Sequence, residues 1–88
     1  MIKGTTASGF AYEVEKAAME NMELLELLAE NGEENLLIYP KLTEMIFGKE
    51  QKQALYAHLR NEKGRVPINE VVNAVKDVFT AYGTAGKN

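Results

Sequence analysis

Three side chains that could act together in hydrolysis each occur once in this 88-residue sequence. They are Ser8, His58 and Asp77, the residue types of a triad in which histidine takes the serine proton and aspartate orients the histidine. Ser8 lies in a predicted turn and lacks the signature of a nucleophile elbow. A lone histidine between Leu55 and Leu59 on a helix is more commonly a packing residue. We therefore expect no catalytic residues and a protein that is not an enzyme.

The other titratable side chains show no spacing typical of a metal or cofactor site. The sequence has no cysteine and one histidine, and it contains neither an HExxH motif nor a calcium-binding loop. With 13 acidic residues, carboxylate pairs at helical spacing are unavoidable. Acid–base chemistry would require an enclosed cleft that raises one carboxyl pKa. The sequence therefore predicts neither a metal site nor a cofactor.

A basic turn, HLRNEKGRVP at residues 58–67, allows two interpretations. Lys63 and Arg65 flank Gly64, so backbone amides and two cations could surround a phosphate. Alternatively, Gly64 ends one helix and Pro67 begins the next. The junction is the simpler interpretation, because one glycine does not make a glycine-rich loop. A small DNA-associated or regulatory protein that uses this turn and the last predicted helix is the alternative.

Charge and composition limit the class of protein. The net charge of −3 divides into +1 for residues 1–12, −7 for residues 13–34 and +3 for residues 35–88. This acidic first half argues against a general nucleic-acid binder. No apolar run approaches the roughly 20 residues that span a bilayer, and the N-terminus lacks the apolar stretch of a secretory signal. We expect a cytoplasmic protein without membrane contact.

Hydrophobic periodicity predicts a mostly α fold. Phe10, Tyr12 and Val14 alternate with more polar residues, which favours a short N-terminal β-hairpin over residues 2–14. Apolar residues then recur at helical spacing, with glycine or asparagine near the predicted ends. We predict one domain, 1–88, built as a small bundle of about four helices at 15–31, 40–47, 49–62 and 67–82, with a flexible tail at 83–88.

Two apolar segments are notable, and one of them, residues 36–47, holds more large apolar side chains than a short helix in a thin bundle can readily bury. In the helix at 15–31, one stripe contains Ala18, Met22, Leu25 and Ala29, and a second contains Ala17, Leu24 and Leu28. Such breadth indicates contact with more than one neighbour. Residues 36–47, LLIYPKLTEMIF, are also rich in large apolar side chains. From hydrophobicity we predict partner-binding residues here, with burial in the core as the alternative: Leu37, Tyr39, Ile46 and Phe47.

Two long segments of the sequence resemble a known family. They are GFAYEVEKAAMENMELLELLAE at residues 9–30 and YPKLTEMIFGKEQKQALYAHLRNEKGRVPINEVVNAV at residues 39–75. The motifs are PKL at 40–42, GKEQ at 48–51, HL at 58–59 and GRVP at 64–67. Together they resemble the small tail assembly chaperones of long-tailed phages and prophages of Gram-positive bacteria.

The resemblance implies a non-enzymatic helper in the bacterial host cytoplasm. Such proteins associate with the long helical tape-measure protein before tail-tube subunits polymerise around it, and they keep its apolar surface from aggregating. The expected partners are therefore the tape-measure protein and the tail-tube protein, and nucleic acid is not expected. The family has no shared active-site motif to transfer to this sequence.

Overall fold

A computed structural model describes residues 1–32 and 34–86, with side chains described up to residue 83. It confirms the predicted class, a small mostly α fold with an N-terminal hairpin. The elements in order are β1 (Ile2–Thr5), β2 (Ala11–Val14), α1 (Lys16–Met19), α2 (Met22–Asn31), a 3₁₀ turn (Leu36–Ile38), α3 (Tyr39–Leu59) and α4 (Ile68–Gly86).

The hairpin lies across the two long helices. β1 and β2 pair antiparallel, with Ile2 opposite Val14 and Gly4 opposite Tyr12. Side chains alternate between the two faces of β2, which buries Tyr12 and Val14. β2 packs on α3, and β1 contacts α4. A Cβ atom at Gly4 would lie 2.5 Å from the Tyr12 hydroxyl oxygen. The missing side chain at Gly4 therefore leaves the space that the Tyr12 ring occupies.

The helix predicted over residues 15–31 is broken into α1 and α2. Asn21 has extended backbone and its side chain accepts a 3.0 Å hydrogen bond from the Glu23 amide, which caps the start of α2. Of the two predicted stripes, Leu24 is buried, but Met22 and Leu25 are exposed. In the stripe that contains Met22 and Leu25, Ala18 packs against the core, whereas these two residues have no neighbour among the described residues that covers them.

α3 reverses direction sharply at Gly48. This residue has φ 79° and ψ 165°, a region that is open essentially to glycine, and it separates two arms at residues 39–47 and 49–59. Lys52 Nζ donates a 3.0 Å hydrogen bond to the Pro40 carbonyl. Twelve residues of straight helix would separate these positions by about 18 Å. The arms correspond to the predicted helices 40–47 and 49–62, although the second arm ends at Leu59.

α4 begins at Ile68 and continues past its predicted end at 82 to Gly86. Residues 83–86 are thus helical, not part of the predicted flexible tail, and residues 87 and 88 lie outside the described residues. Ile68, the first residue of α4, is exposed, although Val71 and Val75 farther along the helix are buried.

One hydrophobic core joins the hairpin and the helices. Aromatic rings of Phe10 and Tyr12 each meet the Phe47 ring edge-on, with centroids 6.3 Å apart. The core residues are Phe10, Tyr12, Val14, Met19, Leu24, Ile38, Tyr39, Leu42, Ile46, Phe47, Leu55, Leu59, Val71, Ala74, Val75 and Val78.

The backbone of Gly48 generates the first prediction. We expect Gly48→Ala to lower the free energy of unfolding by about 1–3 kcal/mol, because alanine is strained at this φ and ψ. Apart from the adjoining backbone, no atom lies within 4 Å of the position that the alanine Cβ would occupy, so overlap with the rest of the protein adds nothing. Chemical denaturation followed by circular dichroism measures the change.

Gly83→Ala is the matched control for this prediction. Gly83 is exposed and lies inside α4 without a positive φ, so alanine should leave stability unchanged or raise it by about 1 kcal/mol. Equal effects of the two substitutions would contradict the assignment of Gly48 as the residue that permits the reversal.

Candidate protein-binding surface

The structure brings Ser8, His58 and Asp77 together at the tip of the hairpin, but not as a catalytic triad. His58 Nε2 contacts the backbone oxygen of Ser8 at 2.9 Å, not its hydroxyl. Asp77 accepts a 2.9 Å hydrogen bond from the Ala7 amide, and the Ser8 hydroxyl pairs with that of Thr6 at 2.9 Å. These contacts tie the hairpin tip to α3 and α4. The three residues therefore anchor the hairpin tip to the helices. They lack the serine-to-histidine hydrogen bond that activates a nucleophile.

The basic turn after α3 closes on itself. Asn61 Oδ1 accepts hydrogen bonds from the amides of Lys63 at 3.0 Å and Arg65 at 3.1 Å. The Gly64 amide donates to the Asn61 carbonyl at 2.9 Å, and the Asn61 amide donates to the Arg65 carbonyl at 2.8 Å. The three amides that could have surrounded a phosphate are therefore already used. Their geometry is that of a helix junction.

The described residues offer no place for a metal ion and no membrane span. Across residues 1–32 and 34–86, no three or more histidine, aspartate or glutamate side chains are placed to hold a metal ion. Within the same part of the chain, no helix is both long enough and apolar enough to cross a membrane.

Three of the four predicted partner-binding residues are buried, so the alternative of burial in the core holds for these three. Tyr39, Ile46 and Phe47 face the core from the first arm of α3. The reason is helical periodicity, because positions 39, 42, 43, 46 and 47 lie on one side of this arm. Leu37, by contrast, is 88% exposed. It precedes the helix in the 3₁₀ turn and lies outside that buried stripe.

Leu37 borders an apolar groove where α3 and α4 begin, called here the α3–α4 groove. Its volume is about 300 Å³, and its walls are Leu36, Leu37, Tyr39, Pro40, Tyr56, Val66, Ile68 and Val71. Leu36 and Ile68 also line a neighbouring depression of about 430 Å³, together with Asn69, Val72 and Asn73. Leu36 and Ile68 thus form a ridge between two shallow hollows, and Ile68 is 60% exposed.

Four parts of the chain position these walls. Asn35 caps the 3₁₀ turn by accepting a 3.1 Å hydrogen bond from the Leu37 amide, which fixes the turn that presents Leu36 and Leu37. Pro40 and Tyr56 come from opposite arms of α3 and face the same hollow only because the helix reverses between them. The junction before α4 and the first turn of α4 supply the remaining walls.

One cation, Lys52, lies beside a wall of the groove and is itself paired with a carboxylate. Lys52 Nζ lies 5.6 Å from the centroid of the Tyr56 ring and 3.7 Å from a Glu44 carboxylate oxygen. Exposed Lys41 and Arg65 adjoin the wall residues Pro40 and Val66 in the sequence. A groove with apolar walls can bind the apolar face of an amphipathic helix.

Sequence reasoning identified Leu37 but missed Leu36 and Ile68 as surface residues. The available signal was the helix caps. Asn35 directly precedes Leu36, and Pro67 directly precedes Ile68, so both apolar residues lie at the start of a helix and not in its interior.

Comparison of the chain with protein-family models, with curated protein sequences and with solved structures finds no match.

The buried Tyr12 generates a prediction about pH. Burial raises the pKa of the Tyr12 hydroxyl above its ordinary value of 10.0, and the negative charge of Asp77 raises it further. Above pH 10 the unfolded chain therefore binds fewer protons at this residue than the folded chain does. The free energy of unfolding should decrease as pH rises through and beyond 10, and the contribution is fully present below that pH.

Urea denaturation at pH 8 and at pH 11 tests this, with Tyr12→Phe as the comparison. All other side chains are the same in both proteins, so the phenylalanine variant should lose less stability between the two pH values. Equal losses would show that Tyr12 ionises in the folded protein as it does in water.

Proposed function

We propose that this protein is a non-enzymatic tail assembly chaperone of a long-tailed phage or prophage, which binds the tape-measure protein and keeps it from aggregating. The observation that carries the proposal is the α3–α4 groove, where Leu36, Leu37 and Ile68 expose large apolar surface beside a hollow with apolar walls. Contiguous exposed apolar surface on a small protein is typical of a partner-binding site.

The size of the groove suits reversible binding. Covering one large aliphatic side chain contributes about 1.5–3 kcal/mol. Association itself costs at least about 4 kcal/mol in lost freedom of motion. Three exposed apolar side chains thus favour weak binding of a single helical segment. A chaperone that must be displaced by tail-tube subunits needs such weak contacts, repeated along a long partner.

The sequence resemblance supports the same partner. Members of that family are associated with the helical tape-measure protein, and an amphipathic helix is the ligand that an apolar groove of this shape accepts.

We do not adopt the DNA-associated alternative. It relied on the Lys63–Arg65 turn and on α4, but the amides of the turn are used by Asn61. One side of α4 is buried against α3 and the hairpin. The exposed side of α4 includes Ile68, Asn69, Asn73 and Lys76. This face offers one cation, whereas binding to a phosphate backbone needs several.

The proposal predicts that the double variant Leu37→Ser, Ile68→Ser fails as a chaperone. The tape-measure protein encoded in the same gene cluster would be co-expressed with the wild-type chain or with the variant. We expect wild type to increase its soluble fraction several-fold and the variant to lose most of this effect, because two aliphatic contacts are removed. Both substitutions change exposed side chains, so the variant should fold, which circular dichroism verifies.

Leu25→Ser is the matched control, since it removes an exposed leucine from α2, outside the groove. It should leave the soluble fraction unchanged. A tape-measure protein that is equally soluble with wild type and with the double variant would overturn the proposal. Salt-dependent binding of the chain to duplex DNA would favour the alternative instead.

A further inference from the structure

A second apolar surface lies on α2, away from the groove. Met22 is 63% exposed and Leu25 is 59% exposed. Ala29, one turn beyond Leu25, is also exposed. At about 100° per residue, these three positions fall within about 60° of one another around the helix. They form a continuous strip, called here the α2 strip, which no described part of the chain covers.

Glutamates border this strip on one side. Glu26, Glu30 and Glu23 occupy the next about 60° of the helix surface, and all three are exposed. The other side of the strip continues toward the buried Leu24, which faces the core. α2 has no basic residue, and residues 13–34 together carry a charge of −7. The α2 strip thus combines an apolar contact surface with a negative potential on one flank.

We propose that the α2 strip binds an amphipathic helix whose apolar face is flanked on one side by lysine or arginine. Charge complementarity selects this partner, because basic side chains on that flank would lie against Glu23, Glu26 and Glu30 while the apolar faces meet. This surface is separate from the α3–α4 groove, so the proposal goes beyond the chaperone function and does not depend on the occupant of the groove.

Charge argues against an antiparallel pairing of the α2 strip with the same strip of a second copy of this chain. An antiparallel pair of α2 helices related by a two-fold axis would place both sets of glutamates on the same flank. Like charges in that position repel one another.

The test uses the full chain and a fluorescein-labelled synthetic peptide. The peptide is an 18-residue helix of leucine, alanine and lysine, with the lysines confined to one flank of the leucine face. A twin has glutamate in place of every lysine, and a third peptide has the same composition in scrambled order. Fluorescence anisotropy gives the Kd of each at low salt. We expect binding of the lysine peptide and at least about tenfold weaker binding of both controls.

Two pairs of variants locate the site. Leu25→Ser should weaken binding of the lysine peptide about tenfold, whereas Leu37→Ser in the groove should leave it unchanged. Glu26→Gln should weaken it about two- to fivefold, which is the range for exposed ion pairs. Glu62→Gln, the same change of charge in the turn after α3, should have no effect.

Three outcomes would overturn the proposal. Equal binding of the scrambled peptide would reduce the effect to general attraction between opposite charges. Weakening by Leu37→Ser, with no effect of Leu25→Ser, would place the peptide in the groove. Sedimentation that shows a dimer dissolved by Leu25→Ser would assign the strip to a second copy. The tape-measure solubility assay depends on Leu37 and Ile68, so either proposal can fail while the other holds.

Discussion

The reversal of α3 at Gly48 is the constraint on which the rest of the structure depends. A straight helix of this length would extend about 30 Å and could not cover a compact core. The positive φ of Gly48 lets the two arms fold toward each other, and Lys52 then reaches the Pro40 carbonyl. The same reversal places Phe47 beneath the aromatic rings of the hairpin. It also brings Pro40 and Tyr56 to one hollow, so the groove is a consequence of the fold of α3.

Polar side chains in this protein mostly hold elements together. Gln51, just after the reversal, accepts a hydrogen bond from the Glu13 amide and donates to the Glu13 and Phe47 carbonyls, which joins β2 to the end of the first arm. The Tyr82 hydroxyl donates to Glu20 at 3.1 Å and links α4 to the turn before α2. The contacts of His58 and Asp77 with the hairpin tip follow the same pattern. Side chains of the types found in active sites, such as His58 and Asp77, therefore hold elements of this fold together.

The sequence predicts the hairpin and the two arms of α3 well, because alternation and helical periodicity are local signals. It predicts the role of each glycine less completely. Gly48 and Gly64 end helical segments as expected, but the sequence does not indicate that Gly48 reverses the chain, and Gly83 lies inside α4 although the predicted helix ends before it. A glycine permits several conformations, and tertiary packing selects among them. Tyr39, Ile46 and Phe47 show a different limit. Their hydrophobicity alone makes them candidates for partner binding, whereas helical periodicity places all three on the buried side.

The two exposed apolar surfaces differ in their supporting structure. The groove is built from both arms of α3 and the start of α4, so its shape is fixed by the core itself. α2 is held mainly through Leu24 and Leu28, and Leu28 meets Tyr39 across a hollow of about 240 Å³ between α2 and the long helices. Tyr39 also lines the groove. The buried Tyr39 side chain therefore borders both the groove and the hollow beneath α2. This position between the two surfaces does not by itself couple binding at one to binding at the other. Since Tyr39 is held in a packed core, the simplest physical expectation is that each surface binds its helix independently.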